Sequence, residues 1–321
     1  MTTYYVDGAV GSDSNAGTSE GAGNAWLTIG KGASTVAAGD TVNVKATGNY
    51  VENVTLVTPG AIGTPILWQG YTSTVGDEGV VTIAPSVAGY CVTGSGEFFQ
   101  VWRNFRFTGA SNAGYFDSAS DNLTFDNCEF DTNGTKGFQS DNNVGFLRCS
   151  FHGNTTVGAE ADDGTMFYAC VFYANGGNGN AHIESGQAIK CLFYGLAAGD
   201  DQLQVNDLQA RPTLYVMNTF DGENAATTTA LDINGVNAVQ SYIVDNIIYD
   251  HASGIDLATD NLGSGQIGWN LLNSNTTDET NVTGSINNQT TAPAFTNEGT
   301  DDYTLGATSD AIDNGLVNPG T

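Results

Sequence analysis

Basic residues are the scarcest component of this chain: 8 Lys and Arg stand against 35 Asp and Glu, a formal net charge of −27 over 321 residues. A field of that sign opposes nucleic acid, anionic membrane and any polyanion met over a broad face, unless a local basic patch or a bridging cation intervenes. Charged residues are only 13% of the chain, so the polar surface falls to Asn, Thr, Ser and Gly. Proline is also rare, 6 residues against 42 glycines, which suits many tight turns. No run approaches the roughly 18 apolar residues of a membrane span, and no membrane insertion is expected. The opening MTTYYVDGAV has neither the basic region nor the apolar stretch of a secretory signal, so no leader is visible. Five cysteines, an odd number, exclude the fully paired framework of a small disulfide-stapled domain. With 40% apolar residues the chain can still bury a substantial core.

What is present is a repeat. Cys128, Cys149, Cys170 and Cys191 are each 21 residues apart, and Phe130, Phe151, Phe172 and Phe193 follow them two places later. The same pair continues as Phe105/Phe107 before them and as Asn218/Phe220, Asn246/Ile248 and Asn270/Leu272 after them, at intervals of 21 to 28 residues. A period in that range marks a solenoid. The runs around each marker, such as LTFDNCEF, VGFLRCSF and TLYVMNTF, alternate apolar with polar positions and favour β-branched and aromatic residues, as strands do. A third ladder, Asn133, Asn154 and Asn175, falls where each coil must turn, and Asn both tolerates a left-handed turn and can bond to neighbouring coils. Leucine-rich repeats share the period, but their leucine spacing is absent. The sequence thus predicts an all-β fold, a single-stranded parallel β-helix whose coils of 21–28 residues stack at roughly 4.8 Å. It forms one continuous domain, with a cap and first coils over 1–70, central coils over 71–285 and a closing segment over 286–321.

Stacking limits what the cysteines can do. A tetrahedral zinc site needs sulfurs converging at about 2.3 Å, whereas four coils spread four thiols along roughly 14 Å. Disulfides between neighbours are disfavoured, because parallel Cβ vectors leave the Cβ atoms about 4.8 Å apart. The thiols are expected to act as small buried hydrophobes beside a phenylalanine stack.

Candidate chemistry lies seven and eight places before the markers, where the same register stacks Asp141, Asp162, Asp163 and Glu184 in QSDNNV, EADDGT and HIESGQ. Carboxylates one coil apart repel, so they raise a pKa or recruit a cation. Asp162, Asp163 and Glu184, with His182, form the candidate catalytic group for acid/base work on a glycan. Asp200 and Asp201 sit where one coil lengthens to 27 residues, and loops that break a repeat often bind ligands. They join Asp141, and the pair Arg148 and Lys190 that share the position before the marker, as candidate substrate-binding residues. Asp13 and Asn15 in GSDSNAGTSEG alternate as in a calcium-wrapping loop, although a complete twelve-residue loop is absent. No cofactor is required by these patterns, and calcium is the one ion they could recruit.

Two end segments carry a resemblance. YYVDGAVGSDSNAGTSEGAGNAWLTIGKGASTVAAGDTVNVKATGNYVENVTL with GTPILWQGY near the start, and PAFTNEGTDDYTLGATSDAIDNGLV near the end, are similar to the opening and closing segments of the right-handed parallel β-helix superfamily. That superfamily includes polysaccharide lyases of the chondroitinase and alginate-lyase type and many phage-encoded, tailspike-like proteins. With the coils, the likeness spans nearly the whole chain. It implies that the β-helix is right-handed, and that a helix between Trp26 and Ala38 covers the first coil and protects an open sheet edge. Lyases of this group are expected to use a Lys and an Arg, often with calcium, and Arg148 and Lys190 do not fall in a matching motif. The Gly-His-Gly and Arg-Ile-Lys pattern of polygalacturonases is also absent. The expectation is therefore a non-catalytic structural or attachment protein of a virion, such as a head fibre, decoration protein or tail spike. It would work in a virion or outside the cell as a homo-oligomer, a trimer about its long axis, with other virion proteins and a cell-surface polysaccharide as partners. The alternative is a polysaccharide-degrading enzyme, a lyase or a glycoside hydrolase.

Overall fold

Short strands separated by sharp turns wind the chain into coils with three faces, here called A, B and C. The computed structural model describes residues 1–119, 121–141, 143–177, 179–195, 200–206, 213–223, 228–234, 241–257 and 265–312. Over these residues the fold is the parallel β-helix that the repeat predicts. Two units are distinguished, Met1–Met166 and Phe167–Thr321.

In the first unit, face A stacks Thr3–Asp7, Thr41–Lys45, Ile66–Tyr71, Gln100–Arg103, Leu123–Asp126 and Val144–Leu147, every neighbour parallel. Face B stacks Asn49–Tyr50, Val81–Ile83, Phe105–Thr108, Glu129–Asp131 and Ser150–His152. Face C stacks Val54–Thr55, Val92–Gly94, Tyr115–Asp117, Lys136–Ser140 and Val157–Ala161. The second unit likewise has three faces. Its face A holds Gly186–Ile189, Thr213–Val216, Ser241–Val244 and Gln266–Gly268. Its face B runs from Val171–Tyr173 through Leu192–Tyr194, Thr219–Asp221 and Ile247–Tyr249 to Leu271–Asn273. Its face C runs from Gly179–Ile183 through Asp201–Val205, Thr229–Ile233 and Ser253–Leu257 to Thr277–Thr280. An antiparallel hairpin, Phe295–Asn297 with Asp302–Leu305, follows.

Because residues one period apart pair, like stacks on like inside the coils. Phe130 lies 4.9 Å from both Phe107 and Phe151, at 16° and 3°. In the second unit Phe193 lies 4.7 Å from both Phe172 and Phe220. All five cysteines are buried and free. Their thiols settle on nearby carbonyls, Cys149 Sγ on Leu147 and Phe125 at 3.4 and 3.5 Å. Where asparagine takes the marker position, the rung is a stronger bond: Asn218 gives both its amide N–H and its Nδ2 to Asn246 Oδ1 at 2.9 and 3.0 Å, and Asn246 does the same to Asn270.

The turn ladder works similarly in the first unit. Asn133 donates its backbone N–H and Nδ2 to Asn154 Oδ1 at 3.2 and 3.0 Å, and Asn154 Nδ2 donates to the Phe130 carbonyl at 2.9 Å. Asn154→Ala strands a buried N–H and a buried carbonyl, and should cost about 1–3 kcal/mol. Urea unfolding checks this, and an effect indistinguishable from that of an exposed Asn→Ala control would show that the ladder is not structural.

Two local features refine the expectation. The helix is confined to Ile29–Ala33, capped by the Thr28 hydroxyl, which accepts from Lys31 N. Gly30 and Gly32 disfavour the longer helix expected over Trp26 to Ala38, and Gly32 is held small because a Cβ there would meet Trp68 at 3.2 Å. From Asn104 onward the corner from face A to face B turns on a single left-handed residue: Asn104, Asn127 and Arg148 in the first unit, and Ala169, Lys190, Met217, Asp245 and Trp269 in the second, all with φ between 53° and 61°; the two earlier corners are longer, residues 46–48 and 72–80. This corner is the shared position of Arg148 and Lys190.

Candidate functional site

Since side chains alternate along a strand, the inward Phe107, Phe130 and Phe151 send their sequence neighbours to the outer side of face B. Two columns result, Arg106–Glu129–Ser150 and Thr108–Asp131–His152. Arg106 clamps Asp131 with two parallel bonds, Nε at 2.8 Å and Nη2 at 2.7 Å. The hydroxyls of Thr132 and Thr108 donate to Asp131 Oδ2 at 2.7 and 3.1 Å. Asp131 is 1% exposed; burial would raise its carboxyl, but Arg106, Thr132 and Thr108 outweigh it and hold the group below the usual carboxylate range. It is a fixed anion that sets the guanidinium in place. Glu129 meets Arg106 Nε at 3.5 Å and His152 Nε2 at 2.8 Å. Arg106, Glu129 and His152 are part-exposed above it.

This arrangement offers solvent a cation, a carboxylate and an imidazole on one patch. Among the described residues, Glu129, Asp131 and His152 also form a possible metal-ligand group, one atom from each lying within 4.8 Å of the others. Both Asp131 oxygens already serve Arg106, so a metal bound through all three would have to compete with a bidentate guanidinium.

Other basic residues of the first unit are paired away from this patch. On face A, Asp126 accepts from Arg148 Nη2 and Nε at 2.6 and 3.1 Å and lies 3.8 Å from Arg103 Nε. This bond to Asp126, with its charge, raises the exposed Arg148 guanidinium further. On face C, Lys136 Nζ lies 2.5 Å from Glu160. A shallow groove of about 420 Å³ on face A, lined by Pro65, Phe99, Val101, Thr124, Gly145 and Met166 among others, has no titratable side chain in its lining.

The acidic turns singled out by the sequence are distributed as follows. Asp141 and Asp162 occupy neighbouring coils, with the Asp162 N–H donating to the Asp141 carbonyl at 2.6 Å. Burial, then the charges of Asp117 and Asp121, raise the Asp141 carboxyl. Asp163 is buried and its carbonyl accepts from Asn143 N at 2.7 Å. His182 and Glu184 belong to the second unit. There His182 pairs with Gln204 in register, and its Nε2 is bonded to Asn206 Nδ2, while Glu184 is part-buried in the bend that follows. Lys190 sits at its corner with Nζ 5.9 Å from the Tyr168 ring centroid. Near the N-terminus, Asp13 accepts from Leu27 N, Thr28 N and the Thr28 hydroxyl, and Asn15 Nδ2 donates to the Ala22 and Ala25 carbonyls. Those bonds give both residues a role in closing the loop.

Asp201 belongs to a crowded carboxylate group in the second unit. Gln204 Nε2 reaches Asp201 Oδ2 and Asp232 Oδ2 at 3.3 and 3.4 Å, and Asp232 pairs with Asp256. Burial and the Asp232 charge push the Asp201 carboxyl up to about 6, and burial also raises Asp200 and Asp256. A carboxyl raised in the folded state binds its proton more tightly there than in the unfolded chain. Its contribution to stability is full below the unfolded pKa, about 4, and is lost as pH rises through about 6. Wild type minus Asp201→Asn should therefore show stability falling by roughly 1 kcal/mol across that window, after allowance for solvent screening. Urea unfolding at both ends of the window measures it, and a flat difference would refute the assignment.

The face B cluster was within reach of the sequence. Reading the residues on either side of each ladder phenylalanine gives Arg106-Phe107-Thr108, Glu129-Phe130-Asp131 and Ser150-Phe151-His152, which are the two outer columns.

Comparison of the sequence with protein families finds no match, nor does comparison with curated proteins. Solved structures do match in fold. A pectate lyase, Pel9A, aligns with a TM-score of 0.64 at 14% identity, over 100% of this chain and 93% of that one. An alginate lyase from Paenibacillus sp. str. FPU-7 aligns with a TM-score of 0.57 at 10% identity, over 82% and 95%. The fold is thus a parallel β-helix, as in these two enzymes. The expectation of a virion fibre, decoration protein or tail spike is corrected here: these structures are polysaccharide lyases, and they give no support to a phage origin or a trimer. The physical reason is that the coil repeat specifies a scaffold, and a scaffold does not specify its use.

Proposed function

We propose that this protein is a polysaccharide-degrading enzyme that cleaves an acidic polysaccharide by elimination at Arg106, Glu129, Asp131 and His152. The carrying observation is that a guanidinium fixed by a buried carboxylate and an imidazole held by a second carboxylate open on the same patch. Elimination next to a uronate carboxylate needs a cation to offset that carboxylate and a base for the carbon-bound proton. Arg106 supplies the first. In the tautomer that donates Nε2–H to Glu129, His152 carries its lone pair on Nδ1 and takes the proton from the carbon α to the carboxylate. The released electron pair forms the carbon–carbon double bond, the glycosidic carbon–oxygen bond breaks, and the leaving oxygen takes up a proton. Glu129 stabilises the imidazolium formed, as a carboxylate does behind other catalytic histidines.

The fold likeness supports this reading, since the two aligned enzymes are named for pectate and alginate. The net charge of −27 is no obstacle at physiological ionic strength, where repulsion is screened beyond about 8 Å and Arg106 acts at contact. Wild type should be incubated with pectate, alginate and a neutral glycan, following unsaturated uronate by ultraviolet absorbance and new reducing ends by titration. Both signals should rise together on an acidic substrate. Reducing ends without unsaturation would assign hydrolysis instead, and no cleavage of any substrate would remove the enzyme reading.

A further inference from the structure

We infer that the first unit contains an interior divalent-cation site, separate from the face B cluster, formed by Asp117, Glu97 and Ser140 at the end of face C. On Tyr115–Asp117 the alternation turns Asp117 inward, and the residue is 0% exposed. Its Oδ1 accepts from Gly96 N and Ala119 N at 3.1 and 3.2 Å, while its Oδ2 has no hydrogen-bond partner among the described residues. The neighbouring strand pairs Gln139 with Phe116, which sets Ser140 beside Asp117. Ser140 is 4% exposed, and its Oγ also has no hydrogen-bond partner among the described residues. Two orphaned oxygens on adjacent rungs of one inward column mark a missing ligand rather than a packing accident.

The column around these oxygens is built of small residues. Gly94 pairs with Asp117 on one side, and Ser140 pairs with Ala161 on the other. Gly94, Ser140 and Ala161 are small, whereas the inward column two places earlier carries Val92, Tyr115 and Phe138. A Cβ added at Gly94 would lie 2.2 Å from Asp117 Oδ2 and 2.8 Å from Glu97 Oε2, so both oxygens approach the same point. Among the described residues no ion pair to Asp117 or Glu97 is formed. A carboxylate buried without a counter-charge is costly, and two carboxylates match the charge of one divalent ion. Every donor is oxygen, with no imidazole or thiolate, which selects a hard cation. Calcium, with its flexible oxygen shell at 2.3–2.6 Å, fits better than zinc. By joining the end of face C to the turn at Glu97, the ion would act as a staple for the fold, independently of any glycan.

The test uses the full chain after chelator treatment, without glycan, titrated with calcium, magnesium and zinc chlorides by calorimetry and thermal unfolding. Calcium should bind and raise Tm, the rise continuing with the logarithm of free calcium beyond saturation. Asp117→Asn should abolish both effects, Ser140→Ala should weaken Kd by about tenfold or more, and Glu129→Gln on face B should leave both intact. No calcium binding by wild type, binding unchanged in Asp117→Asn and Ser140→Ala, or binding lost in Glu129→Gln would each overturn the site. Should Asp117→Asn fail to fold, terbium luminescence sensitised through Trp102 and Tyr115 decides: it should be calcium-displaceable in wild type and lost in Glu97→Gln, and its persistence in that variant would overturn the site.

Discussion

His152→Ala is expected to lower kcat/KM on the cleaved polysaccharide by about 10²–10⁴-fold, the usual contribution of a positioned general base, while Tm moves little. The separation of effects follows from burial: the ring is part-exposed and its bond to Glu129 lies on the outer side of face B. Arg106→Ala is expected to behave differently. It removes the cation that meets the substrate, and it also leaves Asp131, at 1% exposure, with an uncompensated charge, at a cost of about 3–5 kcal/mol. The double variant Arg106→Ala/Asp131→Asn should recover much of that stability and none of the activity. Wild-type rates in His152→Ala would refute the base assignment. Full activity in the double variant would refute the role of the guanidinium.

Phe130→Ala should destabilise the fold by about 3–5 kcal/mol, as large-to-small substitutions in a close-packed core do. Phe130 is fully buried, stacks on Phe107 and Phe151, and meets Phe125 and Phe138 edge-on at 5.4 and 5.9 Å. A cavity there loosens three consecutive coils at once, because stability in a solenoid is carried by neighbour-to-neighbour contacts. The double variant with Phe151→Ala should cost less than the two single losses added, since the first cavity already forfeits their shared contact. Urea unfolding of the single and double variants measures both quantities. A loss under about 1 kcal/mol for Phe130→Ala would mean that the coils close around the gap.

The fold was legible because its signal is repeated: each cysteine–phenylalanine pair restates the same spacing, and the stacking geometry turns that spacing into adjacency. The face B cluster was less legible because each of its columns takes one residue from each of three coils, on either side of a ladder residue that draws attention inward. His152 sits next to Phe151 and was passed over as part of the scaffold. For the acidic turns, register alone placed Asp141 beside Asp162, but register does not say which oxygens are already engaged. The helix was over-read for a different reason: the likeness of the opening segment implies one between Trp26 and Ala38, and the cost of two internal glycines limits it to Ile29–Ala33. The virion expectation failed at a different level, since nothing in a repeating core encodes the partner of its outer surface.

The single left-handed residue between faces A and B also governs access. A corner closed by one residue leaves no length in which a loop can grow, so in the first unit the edge at Asn104, Asn127 and Arg148 is a narrow ridge. Arg106 and Glu129 lie two residues beyond their corners, and Ser150 lies two beyond Arg148. The coil before them turns the same corner through the longer segment 72–80, whose Glu78 adds its charge at Arg148, so the ridge is flanked on that side by an acidic turn. One side of the cluster is therefore bordered by backbone that cannot bulge, and the other by the fold's own negative charge.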